Sequence, residues 1–422
     1  MGGWQEFTVA DIASNEKYSI TMGPFGSNIT KDNFVDIGVP VIRGVNLTHG
    51  RFNPNDFVYL TNEKADDLRS SNAHPNDLVF THRGTLGQVG IIPSTPYKRY
   101  VVSQSQMKLT CDPAKAVPMY MYYYFSSVGK TELLKHVSGS GVPAISSPLT
   151  TLKNLRIRIP PLKTQKKIAS ILSAYDDLIE NNLKRIKILE EMAQRLYREW
   201  FVHFRFPGHE NVKMVDSPLG PIPEGWEVVP FTKIADVLSG GTPKTKIEEY
   251  WGGEIPFFAP KDAPDSFYVT KTEKTITQLG LQKCNSRLYP KDTVFITARG
   301  TVGKVVMPSI DMAMNQSCYA LQGKKGINQH FLFLLTKQQS EYLKKNTGGA
   351  TFDTIIVETF ERMLVAKPDY DLIKKFSALV ESQLDVILNL INKNYLLRQT
   401  RDLLLPKLIS GEVDVSSVDI LT

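Results

Sequence analysis

The sequence predicts a mixed α/β (α+β) protein made of two similar globular domains, each followed by one long helix. Two observations carry this prediction. A set of short motifs recurs at a spacing near 210 residues, and two long segments contain neither glycine nor proline. A chain of 422 residues is also too long for one ordinary core and long enough for two domains of about 150 residues with connectors.

The repeat rests on five motif matches that occur in the same order in both halves. Pro75–Phe80 and Pro290–Phe295 lead into the Arg-Gly-Thr segments Arg83–Gly87 and Arg299–Gly303, with one extra residue between the two parts in the second copy. The other matches join two glutamine turns, two small-residue turns and two helix-entry segments: Ser103–Ser105 with Asn315–Ser317, Ser138–Gly141 with Thr347–Ala350, and Thr151–Pro161 with Thr359–Asp369. Five ordered matches indicate a duplicated domain.

Within each copy, short β-branched and aromatic runs bounded by Gly, Pro, Asn and Asp predict strands. Val39–Ile42, Leu78–Phe80 and Gly90–Ile92 are examples. The segment from Val117 to Val137 predicts a helix. Each copy is therefore expected to be a globule dominated by strands and loops.

Each copy is followed by a segment whose apolar residues recur every seven positions, a pattern typical of coiled-coil helices. The two series are Ile168, Tyr175, Asn182, Leu189 and Leu196, and Phe376, Gln383, Leu390, Leu397 and Leu404. Chain order requires the two helices to run antiparallel if they pair, which predicts a dumbbell with an approximate twofold axis. The alternative is that each helix packs on its own globule.

The predicted boundaries place the first globule at residues 1–161, its helix at 162–206, the second globule at 207–368, its helix at 369–411 and a tail at 412–422. Asn182 interrupts the first helical series. Three roles are open for it: fixing the register of the helix pair, facing a partner subunit, or simple exposure. A register role is favoured, because buried polar residues in helix seams often act in this way.

Composition allows a nucleic-acid partner without requiring one. The chain has 50 basic and 43 acidic residues, a net charge of +7 and a pI near 9.0. Three widely separated cysteines without a CxxC pattern predict neither disulfides nor a zinc site. With no signal-peptide pattern and no apolar run of ~20 residues, we expect a cytoplasmic protein.

No catalytic pattern is recognisable in the sequence. An amino-methyltransferase needs an Asn/Asp-Pro-Pro-aromatic loop, but Pro160-Pro161 follows an isoleucine. Gly300–Lys304 resembles the end of a phosphate-binding loop, yet Ala298 stands at its first glycine and Val305 at its Ser/Thr position. The seven histidines show no metal-ligand spacing. We therefore expect no catalytic residue, metal or cofactor in this chain.

The order globule, helix, globule, helix resembles the layout of the specificity subunits of Type I restriction–modification systems. The local motifs are similar to theirs: Gly44-Val45-Asn46, Asp77–Thr85 and Ile159–Gln165 in the first copy, Pro223–Trp226, Gly241–Pro243, Tyr250–Pro256 and Arg299–Thr301 in the second, and Leu404–Glu412 near the end. The resemblance covers nearly the whole chain. It rests on the order and duplication of the motifs, since none of them is specific alone.

The resemblance implies that each globule is a target-recognition domain for one half of an asymmetric, interrupted DNA site. It also implies a non-catalytic subunit that docks two adenine-methyltransferase subunits and the restriction/translocase subunits. S-adenosylmethionine, ATP and Mg would be used by those partners and not bound by this chain. Two alternatives stand beside it: a protein scaffold with two heads on a coiled-coil rod that does not bind DNA, and a self-contained nuclease or methyltransferase.

Residues shared by the two copies cannot by themselves distinguish two half-sites, so we expect them to contact phosphates or hold the fold. They are Arg83, Thr85, Gln104, Arg299, Thr301 and Gln316. Base-reading candidates lie where the copies diverge: Ser27, Asn28, Lys31, Arg43 and Asn46 in the first copy, and Thr242, Lys244, Lys246, Lys261 and Asp262 in the second. For the two arginines an equal alternative is a glycine-dependent turn with a merely solvated side chain.

Overall fold

The computed structural model describes residues 3–48, 50–138, 141–346 and 354–418, without the side chains of Ser27, Lys345 and Asn346. The chain divides into two compact units: unit 1 comprises Met1–Ile179 and Leu396–Thr422, and unit 2 comprises Glu180–Tyr395. Of the sequence matches, Thr347–Ala350 and the two central residues of Ser138–Gly141 lie outside the described residues. Among the residues described, no helix is both long and apolar enough to cross a membrane.

Unit 1 is built from short strands and short helices. Its strands are β1 (Gln5–Thr8), β2 (Ile20–Met22), β3 (Val39–Ile42), β4 (Val58–Leu60), β5 (Asn72–Ala73), β6 (Leu78–Thr81), β7 (Val89–Ile91), β8 (Tyr100–Val102), β9 (Gln106–Leu109), β10 (Val137–Ser138), β11 (Ala144–Ile145) and β12 (Arg156–Ile159). Its helices are α1 (Val9–Ile12), α2 (Asn62–Asp67), α3 (Pro118–Ser126), α4 (Val128–Leu134) and α5 (Pro148–Asn154), and the long helix α6 (Leu162–Phe201) follows. The three strands predicted above are confirmed to within a residue.

Two four-stranded sheets form the body of unit 1. One is antiparallel throughout and has the order β2-β9-β6-β7, and the other has the order β4-β3-β8-β5 with β3 parallel to β8. The first sheet packs against α3, where the rings of Phe80 and Phe125 lie edge to face with centroids 4.9 Å apart. This sheet carries the motif segments, because β6 leads directly into the first Arg-Gly-Thr turn.

The single helix predicted from Val117 to Val137 is in fact two helices, α3 and α4. The backbone leaves the helical region at Ser127, with φ −127° and ψ −107°. Gly129 then packs so closely on the preceding turn that a Cβ there would lie 2.7 Å from the rings of Tyr124 and Phe125. The bend depends on this aromatic contact with a glycine, which the apolar periodicity alone does not reveal.

Unit 2 repeats the same plan. Its strands are β13 (Met214–Val215), β14 (Ile222–Pro223), β15 (Glu227–Pro230), β16 (Ala235–Ser239), β17 (Trp251–Phe258), β18 (Tyr268–Val269), β19 (Lys274–Ile276), β20 (Val294–Thr297), β21 (Val305–Pro308), β22 (Ala313–Met314), β23 (Cys318–Gly323) and β24 (Leu364–Lys367). Its helices are α7 (Gln278–Gln282), α8 (Gln329–Asn346) and α9 (Val357–Arg362), followed by the long helix α10 (Tyr370–Ser410). A five-stranded sheet has the order β16-β23-β20-β21-β18, and a three-stranded sheet has the order β19-β17-β22.

The duplicated domain is confirmed by strand order, since β2-β9-β6-β7 corresponds to β16-β23-β20-β21. The proposed extra residue in the second copy is wrong. Asn76 and Asp292 are the matched left-handed residues, with φ of 71° and 64°. Asn76 donates its N–H to the carbonyl of Ile92 at 2.9 Å, and Asp292 donates to that of Pro308 at 3.0 Å. Asn76 and Asp292 are 216 residues apart, and so are Ile92 and Pro308, so the second copy has no inserted residue here.

The two long helices pair antiparallel within each unit, as predicted. In unit 1, the buried carboxylate of Asp176 on α6 forms an ion pair with half-buried Arg401 of α10. In unit 2, the Asn182 side-chain N–H donates to Oδ1 of Asn394 at 2.8 Å, and the ring centroids of Tyr197 and Phe376 lie 6.0 Å apart. Residue numbers rise along one helix as they fall along the other, which defines the antiparallel direction.

The sequence recovered one of two seam rows on each helix. The predicted positions are buried or half-buried, with Ile168 and Phe376 fully buried. A second seven-residue row alternates with the first and is the more buried of the two on both helices: Gln165, Leu172, Ile179, Ile186, Ala193 and Trp200 on α6, and Ile373, Val380, Ile387, Asn394, half-buried Arg401 and Leu408 on α10. Spacings that alternate between three and four residues are those of coiled-coil packing.

Candidate nucleic-acid interface

In unit 1 the motif segments meet at one end of the sheet β2-β9-β6-β7. We name this group loop cluster 1, comprising residues 23–28, 43–47, 82–88 and 103–105. The N–H of His82 donates to the carbonyl of Ser105 at 3.0 Å. A Cβ on Gly23 would lie only 1.9 Å from the Ser103 carbonyl oxygen, so this approach requires glycine. The cluster is thus a surface made of four loops with fixed mutual contacts.

A polar network lies beneath loop cluster 1. The hydroxyl of Thr81 donates to Oε1 of Gln88 at 2.9 Å, and the Gln106 side chain donates to the Thr81 oxygen at 3.5 Å. The Ser103 hydroxyl donates to Oε1 of Gln106. Gly44 lies against this network: a Cβ added to Gly44 would be 3.3 Å from the Gln88 amide oxygen. The network holds the loops in one arrangement.

The ring of His82 adds a further link. Its Nε2 is 3.1 Å from the carbonyl oxygen of Gln104, so Nε2 carries the proton and donates. Burial lowers the pKa of His82 below its ordinary value, which keeps the imidazole neutral. The backbone of the glutamine turn is thereby tied to the Arg-Gly-Thr turn.

Unit 2 has the same arrangement, which we name loop cluster 2: residues 240–246, 259–262, 298–304 and 315–317. The N–H of Ala298 donates to the carbonyl of Ser317 at 2.7 Å. A Cβ on Gly240 would lie 2.1 Å from the Asn315 carbonyl oxygen. Both contacts repeat those of loop cluster 1.

The shared arginines lie on the outer surface of the clusters. Arg83 and Arg299 are exposed, and within the described residues neither guanidinium has a hydrogen bond or ion pair. The glycines that follow them have φ of 93° and 79°, so the turns do need glycine. Thr85 and Thr301 are exposed beside them, and the Thr301 hydroxyl donates to the Pro260 carbonyl at 3.2 Å. Both turns therefore present an uncompensated cation.

Two of the divergent candidates are matched positions with a structural role. Asn46 is fully buried; its Oδ1 accepts the Arg43 N–H at 2.8 Å and its amide donates to two loop carbonyls. Asp262 accepts the N–H of Ala259 at 2.9 Å in the same way, and that of Glu273 at 3.0 Å. The expectation that Asn46 reads bases is wrong, because none of its polar atoms reaches the surface. Asp262 serves the same loop in unit 2.

The other divergent candidates differ in whether their side chains form hydrogen bonds or ion pairs within the fold. The Arg43 guanidinium donates to the Asp56 carbonyl, and Lys261 pairs with Glu273. Thr242 is half-buried and donates to Gln316, which is exposed like Gln104. Four candidates are exposed and have no side-chain hydrogen bond or ion pair within the described part of the chain: Asn28, Lys31, Lys244 and Lys246. The side chain of Ser27 lies outside the described residues.

Sequence reasoning missed three exposed residues beside the clusters. Lys283 and Arg287 flank the segment that packs on Gly241, where a Cβ would lie 2.6 Å from the Asn285 nitrogen. Phe25 is 74% exposed within loop cluster 1. No sequence motif marks these residues. Strand register in the structure shows that Phe25 occupies the place that Thr242 has in unit 2.

Metal or thiol chemistry finds no support at these loops. The described residues contain no group of three His, Cys, Asp or Glu side chains that could hold a metal ion. Cys111 and Cys318 are buried, and burial raises the pKa of Cys111 to about 12. These thiols stay protonated. What the two clusters offer is hydrogen-bond donors, exposed cations and an exposed aromatic ring.

Comparison with known proteins decides the family. The model of the Type I restriction modification DNA specificity domain matches residues 1–191 and again residues 223–371, which together are most of the chain. The chain belongs to this family. The family model matches once in each copy of the repeat.

Relatives of this chain align with it over most of their length. It is 27% identical to the Type I restriction enzyme MjaIX specificity subunit of Methanocaldococcus jannaschii, over 81% of this chain and 78% of that one. It is 25% identical to the HindI specificity subunit of Haemophilus influenzae, over 98% and 100%. The crystal structure of a Type I restriction–modification S subunit from M. genitalium shares the fold, with a TM-score of 0.59 at 17% identity and 96% of each chain covered.

Proposed function

We propose that this chain is the DNA-reading, non-catalytic subunit of a Type I restriction–modification complex, in which each loop cluster binds one half of an interrupted DNA site. The observation that carries the proposal is the duplication of one surface. Each copy presents, on an Arg-Gly-Thr turn, an exposed arginine whose guanidinium has no hydrogen bond or ion pair within the described part of the chain. An unpaired guanidinium on a fixed turn is suited to a phosphate oxygen, since it forms charge-assisted hydrogen bonds.

The proposal includes the partners that the family implies. Two adenine-methyltransferase subunits and the restriction/translocase subunits would dock on this chain and supply S-adenosylmethionine, ATP and Mg chemistry. Exposed apolar side chains on the long helices are consistent with docking, among them Leu178, Ile188, Met192, Leu396 and Leu403. We expect neither methyl transfer nor cleavage from the purified chain alone.

A salt titration tests the DNA contact. Binding of a duplex DNA pool is measured by fluorescence anisotropy for the full chain and for Arg83→Ala and Arg299→Ala. Each substitution should weaken binding about equally on all sequences and reduce the slope of log affinity against log salt by about one unit. Arg156→Ala is the control, because Arg156 is 80% exposed on β12, outside the loop clusters.

The outcome separates the two classes of function. Binding that weakens steeply with salt, with a smaller slope in both arginine variants, supports DNA binding through the clusters. A chain that does not bind duplex DNA at 50 mM salt would favour a protein scaffold. Loss of preference at a single base pair with an unchanged salt slope would mean that the arginines read bases.

A further inference from the structure

Identical residues can present different chemistry when their neighbours differ, and the glutamine of the shared turn is such a case. Gln104 and Gln316 occupy the same place, since each precedes the serine whose carbonyl accepts the N–H from the end of the neighbouring strand. The same loop also crosses both turns, with Gly23 against Ser103 and Gly240 against Asn315. The backbones match, so any difference lies in the side chains around the glutamine.

The neighbour of the glutamine differs between the copies. Strand register pairs Met22 with Met107 and Ser239 with Tyr319, which places Phe25 and Thr242 at the same position, three residues farther along. The Thr242 hydroxyl donates to Oε1 of Gln316. Phe25 has no hydroxyl to donate. The Gln104 side chain has no hydrogen bond within the described residues.

This difference bears on which end of the amide is left for a ligand. In the structure the Gln316 oxygen accepts from Thr242, which leaves the NH2 group, a donor only, for another partner. The amide of Gln104 can turn either its oxygen or its nitrogen outward. In the major groove, O6 of guanine and O4 of thymine accept from such a donor, whereas adenine and cytosine carry an amino group at the same position. N7 is an acceptor in both purines and does not distinguish them.

We propose that the Thr242–Gln316 pair is a specificity-determining element of loop cluster 2, which reads the acceptor at O6 of guanine or O4 of thymine in the major groove and rejects a base with an amino group at that position. The inference rests on the proposed DNA-reading function and adds a named donor to it. It also changes the expectation drawn from the repeat, because a shared residue here contributes to the difference between the half-sites.

The test is selection from a randomised duplex DNA library by the full-length chain, followed by sequencing. Wild type should enrich a two-part motif. Thr242→Val removes the hydroxyl and frees the amide to turn, so one base pair in one half of the motif should relax, with adenine or cytosine tolerated about tenfold better. Thr242→Ser keeps the hydroxyl and should restore the wild-type preference.

The control variant is Thr270→Val, because Thr270 is a half-buried threonine of unit 2 whose hydroxyl has no hydrogen bond within the described residues. It should keep the wild-type motif, and circular dichroism should show native secondary structure for every variant. An unchanged motif in Thr242→Val would overturn the inference and leave the proposed function standing. Loss of a whole half of the motif would overturn it too, because Thr242 would then hold the loop and not the amide. A wild-type chain that enriches no sequence would remove the proposed function itself.

Discussion

A buried ion pair in unit 1 has a natural counterpart without charge in unit 2. Nζ of Lys108 lies 3.1 Å from Oδ2 of Asp77, and the two side chains are only 6% and 3% exposed. The Thr110 hydroxyl donates to Oδ1 of the same carboxylate at 2.6 Å. At the matched positions unit 2 has Thr293 and Ala320. The chain therefore contains both solutions to the same packing problem.

Removing the lysine should destabilise unit 1 strongly. Lys108→Ala leaves the Asp77 carboxylate buried without its countercharge, which costs about 3–5 kcal/mol. The double substitution Asp77→Thr with Lys108→Ala copies the pair of unit 2, where the Thr293 hydroxyl donates to a loop carbonyl at 2.7 Å. It should recover about 2 kcal/mol. Recovery stays incomplete, because unit 2 has Phe295 opposite its alanine where unit 1 has only Val79.

Hydrogen exchange of the backbone amides measures this locally, which suits a chain with two units. A loss of about 3 kcal/mol should speed exchange in β6 and β9 by roughly two orders of magnitude. Exchange in β20 and β23 of the same molecule is the internal control. The reasoning is refuted if Lys108→Ala changes exchange in β6 by less than about threefold, or if the double variant is less protected than the single one.

Three further predictions concern the helices. Burial raises the pKa of Glu190 above its ordinary value near 4.5. The protonated carboxyl therefore stabilises unit 2 below that ordinary value, and this stabilisation is lost as pH rises through the raised pKa. Glu190→Gln should flatten the pH dependence of the free energy of unfolding of unit 2, measured by urea titration. Asn182→Leu should lower the free energy of unfolding by about 1–3 kcal/mol, because the buried Asn394 amide loses a hydrogen-bond partner. Changing both asparagines to leucine should restore stability but produce mixed oligomers, which light scattering would detect. Tyr123→Phe should cost about 1.5–3 kcal/mol in unit 1 by thermal unfolding, since its hydroxyl donates to the buried carboxylate of Asp176 at 2.6 Å; no loss would mean that Arg401 alone satisfies that carboxylate.

The sequence was sufficient for the architecture because the repeat and the helical period are long-range patterns. It missed half of each helix seam for a physical reason. The second row includes Gln165, Ala193, Asn394 and Arg401, which are polar or small and so break an apolar pattern. Gln165 is buried because it bonds main-chain groups of Val117 and Pro160, and Asn394 is buried because it accepts from Asn182. Such partners become visible only when the folded chain is known.

For the candidate interface residues, the structure adds local contacts that the sequence does not reveal. Divergence between the copies predicts base reading, but Asn46 diverges from Asp262 while each holds the matching loop of its unit. Identity predicts a common role, yet Gln104 and Gln316 have different neighbours. A residue's type does not reveal which of its polar atoms are already used inside the fold.

Hydrogen exchange of the full chain with and without a selected duplex tests the central claim most directly, namely that the two loop clusters are the DNA-binding surfaces. The amides of residues 82–88 and 103–105 in unit 1, and of residues 240–246 and 298–304 in unit 2, should become protected together when the duplex carries both half-sites. A duplex with one half-site scrambled should leave one cluster unprotected. Protection confined to the long helices, or to a single cluster with both half-sites present, would contradict the account.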